Sequence, residues 1–140
     1  MIRDEKGVTL LEVLIAIVIL SFIFLSIMNF FPQMGLINKA NEDKAKAVNY
    51  ANELLIEWKN SESVKDCIKN KNGTSLSGYY NTDSNYYYYK TSKGGFNAII
   101  KIRKNTDLIS TPVTTRLIDI QLFNNRNNMV AETYGYIILR

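Results

Sequence analysis

The sequence predicts an α+β protein in which a long amino-terminal helix, a transmembrane half followed by an amphipathic half, packs on a small antiparallel β-sheet. Three observations carry that prediction. Residues 8–31, VTLLEVLIAIVILSFIFLSIMNFF, hold no lysine or arginine. Between residues 37 and 58 apolar side chains recur at steps of three and four. Beyond residue 86 the period changes to two, in stretches rich in aromatic and β-branched residues.

The apolar segment comes first. At about 1.5 Å per residue it reaches about 36 Å as a helix, enough to cross a hydrocarbon core of about 30 Å. A cleavable secretory segment has an apolar run of about 7–15 residues that ends in a small-residue site. Here the run is longer, no A-x-A pattern follows it, and the small residue, Gly7, precedes it. Residues 8–34 therefore read as a single membrane-spanning helix. Arg3 and Lys6 flank one end and Lys39, Lys44 and Lys46 the other, so the distribution of positive charge leaves the orientation open.

Pro32 removes one backbone hydrogen bond and is expected to bend the helix before its pattern resumes. Residues 35–60 read as the amphipathic half. Ile37, Ala40, Lys44, Ala47, Val48, Ala51, Leu54, Leu55 and Trp58 form its stripe, with Asn38, Lys39, Glu42, Asp43, Lys46, Asn49, Asn52 and Glu53 mostly between them. Such a stripe needs cover in water, and residues 61–140 are expected to supply it as a globular head.

Residues 60–85, with NKNGTSLSG among them, have loop composition and a short helical turn near residues 64–68. Four strands follow, in YYYYKTS, FNAIIKIRK, TRLIDIQLF and MVAETYGYIIL. Phe96, Ala98, Ile100 and Ile102 alternate with Asn97, Ile99, Lys101 and Arg103, and Ile118, Ile120 and Leu122 alternate with Asp119 and Gln121. Between the last two strands lies NNRNN, where asparagine tolerates left-handed backbone angles and a hairpin is expected.

Composition narrows the function. Lys and Arg exceed Asp and Glu by 17 to 13, a mild surplus without a run of like charges, so no nucleic-acid site is expected. The absence of histidine removes Ser-His-Asp and Cys-His catalysis together with His-ligated metals. The single cysteine, Cys67, can form neither an internal disulfide nor a Cys-rich zinc site, and reads as a small buried hydrophobe. Trp58 reads as core, and the four tyrosines at 86–89 as cross-strand packing with two on each face. The loop NTDSN at 81–85 lacks the spaced acids and closing glutamate of a calcium loop. No paired carboxylate or phosphate-binding glycine loop offers itself. The expectation is a protein without enzymatic activity and without cofactors or metals.

One residue resists this inventory. Glu12 lies four residues inside the apolar run, where a carboxylate is costly unless it has a partner or a function. Its surroundings, KGVTLLEV, resemble the processing junction of the type IV pilin and pseudopilin family. The resemblance rests on Lys6 and Gly7 at the junction from charged to apolar sequence, then Thr9 and Glu12 at set offsets. Val8 stands where the family prefers phenylalanine. The final run RLIDIQLFNNRNNMVAETYGY looks most like the last strands of minor pilins and minor pseudopilins.

The resemblance implies a pilin-like fold and a leader, residues 1–7, cut off after Gly7 by a prepilin peptidase that reads Lys6, Gly7 and Thr9. It implies N-methylation of Val8 and a role for Glu12 in assembly, pairing with the amino terminus of a neighbouring subunit. The protein would be a minor pilin or pseudopilin of a type IV pilus or of a related secretion or competence filament. Its partners would be other such subunits, the prepilin peptidase, an inner-membrane assembly platform and membrane lipid, with the leader inside and the head outside the cytoplasm. The alternative from another class is a single-pass anchor with an uncleaved leader and a ligand-binding head, which has no need of Gly7 or of an acid at position 12.

Overall fold

The computed structural model describes residues 8–106, 108–110 and 113–139, so the expected leader, with Lys6 and Gly7, lies outside the described residues. Helix α1 spans Leu10–Asn60 and contains Pro32. The chain divides into two compact units, and the boundary falls within this helix between Asn41 and Glu42.

The part of α1 before that boundary is uncovered. Its most apolar window has a mean hydropathy of 2.9 and is 0% buried. Beyond Glu12, the polar side chains between residues 10 and 31 are Ser21, Ser26 and Asn29, and each bonds to the carbonyl four residues back. The Ser21 hydroxyl donates to Ile17 O at 2.7 Å, the Ser26 hydroxyl to Phe22 O at 2.9 Å, and the Asn29 amide to Leu25 O at 3.1 Å. A donor left unpaired in lipid costs several kcal/mol, and these three are satisfied within the helix itself.

Among the described residues, the second unit is built on a six-stranded antiparallel sheet. The strands are β1 (Tyr79–Thr82), β2 (Tyr86–Lys93), β3 (Phe96–Arg103), β4 (Leu108–Ser110), β5 (Val113–Phe123) and β6 (Met129–Leu139). β1 pairs with β2 and β2 with β3. β3 and the short β4 share one edge of β5, and β6 takes the other. Ala98, Ile100 and Ile102 stand opposite Leu122, Ile120 and Ile118, and all six are buried. The period-two alternation therefore sets the inner face as expected, because a strand's successive side chains point to opposite sides.

The helix covers this face through Ala47, Ala51 and Leu54, which are buried, and through Tyr50, Leu55 and Trp58 packed against the core. The Trp58 and Tyr89 rings lie 5.1 Å apart. Gly135 of β6 permits the close approach, since a β-carbon there would sit 3.2 Å and 3.3 Å from the two methyls of Leu55. Polar ties flank the stripe. The Thr133 hydroxyl donates to Asn52 Oδ1 at 3.2 Å, and Lys93 reaches Glu57 at 3.2 Å and Glu53 at 3.3 Å.

The structure departs from the sequence reading in three places. The covered stripe begins at Ala47, whereas Ile37, Ala40, Lys44 and Val48 are exposed. From residue 47 to residue 58 the helix advances about 17 Å, and this length packs on the sheet within the second unit. In the stretch 60–85 the helical turn expected near residues 64–68 is present as a longer helix, α2 (Glu62–Lys69), and strand β1 forms where loop was expected. Ser61 caps α2 by accepting the Val64 amide at 3.4 Å, and Val64 and Ile68 are buried. The sheet has six strands rather than four because β1 and β4 are short edge pieces, formed by pairing rather than by their own pattern.

The hairpin and the split of the four tyrosines between two faces come out as expected. The NNRNN turn closes with the Asn124 amide bonded to Asn128 O at 3.0 Å and with Asn127 at φ 60°. Tyr89 is buried and Tyr87 packs against the core, while Tyr86 and Tyr88 lie on the other face, their rings 6.3 Å apart. Asp83 of the NTDSN loop closes a turn. Its Oδ1 accepts the amides of Asn85 at 2.7 Å and Tyr86 at 2.6 Å, and its Oδ2 accepts the Tyr88 hydroxyl at 2.7 Å.

Candidate functional site: the amino-terminal junction

Val8 and Thr9 precede the first helical residue, Leu10. The Thr9 carbonyl accepts the amide of Val13 at 3.3 Å, which makes Thr9 the residue that caps α1. The first amides of any helix lack partners within it. Here the Thr9 hydroxyl accepts the Glu12 amide at 3.3 Å, and Glu12 Oε2 accepts the Thr9 amide at 2.9 Å. The Thr9 hydroxyl also donates to Glu12 Oε2 at 3.0 Å. This reciprocal pair is a capping box, with its carboxylate at the positive end of the helix dipole.

The carboxylate that looked unpartnered in the sequence thus has a partner three residues away. The signal was present, because threonine followed three positions later by glutamate at the start of an apolar run is the capping-box pattern. Reading Glu12 for a distant partner passed over it. Glu12 Oε1 makes no hydrogen bond among the described residues.

The structure brings together Thr9 and Glu12 of the sequence-predicted site residues. Val8 is exposed next to them, and Lys6 and Gly7 lie outside the described residues. Cys67 is partly exposed, with Sγ 3.4 Å from the Ser75 hydroxyl. Among the described residues no group of three or more His, Cys, Asp or Glu side chains stands close enough to hold a metal. Chemically, the junction is a helix start whose one acid is half used for capping and half open to a donor.

Residues 2–28 match the family described as the prokaryotic N-terminal methylation motif. No curated protein and no solved structure matches the chain. The molecule is therefore an α+β head carried on a helix with an uncovered apolar stretch, and that helix begins inside a methylation motif.

Proposed function

We propose that this chain is a structural, non-catalytic subunit of a type IV pilin-like filament, of the minor pilin or pseudopilin kind. It is made as a precursor with leader 1–7, spanning half 8–34, amphipathic half 35–60 and head 61–140. The peptidase reads Lys6, Gly7 and Thr9 and cuts between Gly7 and Val8. Val8 is then N-methylated, and the head lies outside the cytoplasm.

One observation carries the reading: the methylation motif lies on a helix whose most apolar stretch is 0% buried among the described residues. Helices in lipid gain no hydrophobic driving force from packing on one another, so register must come from shape and from directional polar contacts. Glu12 is the one ionisable side chain in residues 8–31. Its Oε1 is open to the ammonium that cleavage creates at Val8 of a neighbouring subunit. The capping box lies wholly downstream of the cut, so removal of the leader leaves it intact.

The test is intact-mass measurement on protein taken from filaments and membranes of the native host. The assembled form should begin with N-methylated Val8. Assembled material that still carries Met1 would refute the proposal.

A further inference from the structure

A groove of about 430 Å³ opens on the head between the end of α1, helix α2 and the turn that follows residues 73–75. Trp58 lines it, its ring 5.1 Å from that of Tyr89. Val64, Leu76 and the Cys67 thiol line its sides, and Ser61, Ser63, Ser75 and Ser77 set hydroxyls around it. Two of those hydroxyls are committed: Ser61 caps α2 and Ser75 donates to Asn72 O at 2.9 Å. Ser63 and Ser77 are exposed, and their hydroxyls make no hydrogen bond among the described residues. Glu57 is the one charged lining residue, and it already pairs with Lys93 at 3.2 Å.

We propose that this groove binds a neutral sugar ring. The lining decides the class by elimination. A wholly apolar ligand would strip water from serine hydroxyls and from Glu57 without replacing their hydrogen bonds. An anion would meet the Glu57 carboxylate and no lining cation. A simple cation would compete with Lys93 for an acid already engaged. A pyranose avoids all three penalties, because one face presents C–H groups and the rim presents hydroxyls. The C–H face lies against the electron-rich face of the Trp58 indole, and the rim hydroxyls reach Ser63, Ser77 and Oε1 of Glu57, whose Oε2 stays with Lys93. Small pockets of this kind combine an aromatic side chain with a few placed polar groups. The inference stands apart from the filament proposal, since it uses residues of the head and holds for an anchor with an uncleaved leader as well.

Trp58 is the only tryptophan in the chain, so its fluorescence reports occupancy directly. The full chain, held in micelles of a detergent without a sugar headgroup, is titrated with glucose, galactose, mannose and N-acetylglucosamine. At least one should give a saturable spectral change in the millimolar range. Ser77→Leu places an apolar side chain at the mouth and Glu57→Gln removes the acceptor charge. Each should raise the dissociation constant by about tenfold, with unchanged far-UV circular dichroism showing that the fold is kept. No saturable change with any of the sugars up to their solubility overturns the proposal. So does a change that Ser77→Leu leaves untouched, which places the binding elsewhere. A response to an apolar probe such as phenylacetamide, with none to the sugars, also overturns it and makes the groove a cleft for an apolar side chain.

Discussion

Leu54→Ala tests whether the head is held together by the part of α1 that the structure covers. Leu54 is 4% exposed and packs in one cluster with Ile100, Ile120 and Ile137, each 0% exposed. Those neighbours are fixed in the strand ladder and cannot collapse into the space left behind, so the cost should fall mid-range, at about 3 kcal/mol within the 2–5 kcal/mol seen for such truncations. With a urea dependence of about 1.5 kcal/mol per molar, the unfolding midpoint should drop by about 2 M. Ile56→Ala and Ile37→Ala are the controls. Both side chains are well exposed, 60% and 58%, and each change should cost less than about 0.5 kcal/mol. The assay is urea unfolding of the full chain in micelles, followed by Trp58 fluorescence. Trp58 lies one turn beyond Leu54 with its ring 5.1 Å from Tyr89, so undocking of helix from sheet changes its surroundings directly. If Leu54→Ala leaves the midpoint within error, or Ile37→Ala lowers it as much, the sheet does not depend on the stripe that begins at Ala47.

Glu12 caps its helix, and substitutions separate that role from the assembly role proposed for it. Gln keeps the capping box but loses the charge, Ala loses both, and Thr9→Val loses the cap alone. If Glu12 pairs with a neighbour's ammonium, Glu12→Gln and Glu12→Ala should both cut incorporation into sheared filaments severely, while insertion and cleavage persist and Thr9→Val has a smaller effect. Wild-type incorporation of Glu12→Gln would leave capping as the residue's sole role. A chain lacking residues 1–34 should be a folded, monomeric α+β domain by gel filtration and circular dichroism without detergent, and an unfolded product would count against the stripe. The Tyr88 hydroxyl, followed by the amides of Tyr86 and Asn85, holds the Asp83 carboxyl below the ordinary aspartate range. Its folded value is thus below its unfolded one, so its contribution is full above the unfolded value of about 3.9 and is lost as pH falls through the folded value. The gap in urea midpoint between wild type and Asp83→Asn should therefore be full at pH 6 and narrow as pH falls below the unfolded value, whereas a constant gap would refute the assignment. Tyr88 itself is pushed up to about 12, mainly by Asp83, and stays neutral throughout that range.

The parts of this protein that its sequence determined are those specified by near neighbours along the chain. A run of 24 residues without lysine or arginine is long enough to span a bilayer as a helix, and residues 8–31 show that without any coordinates. Alternation in FNAIIKIRK and RLIDIQLF fixes which side chains face inward, because a strand has two faces. Asn127 at φ 60° and the Thr9 to Glu12 capping box are likewise local, and the second was written in T-L-L-E although it was not read there. Periodicity carried the stripe back to Ile37, and only the tertiary structure ended it at Ala47, because cover depends on how far a sheet made of distant residues extends. The same holds for β1 and β4, whose hydrogen bonds are supplied by β2 and β5, and for Gly135, whose missing β-carbon matters only because Leu55 arrives above it. It holds most of all for the groove over Trp58. Its lining comes from one helix, from another and from a turn some twenty residues on, and no local pattern encodes a surface that exists only once three separate segments are packed together.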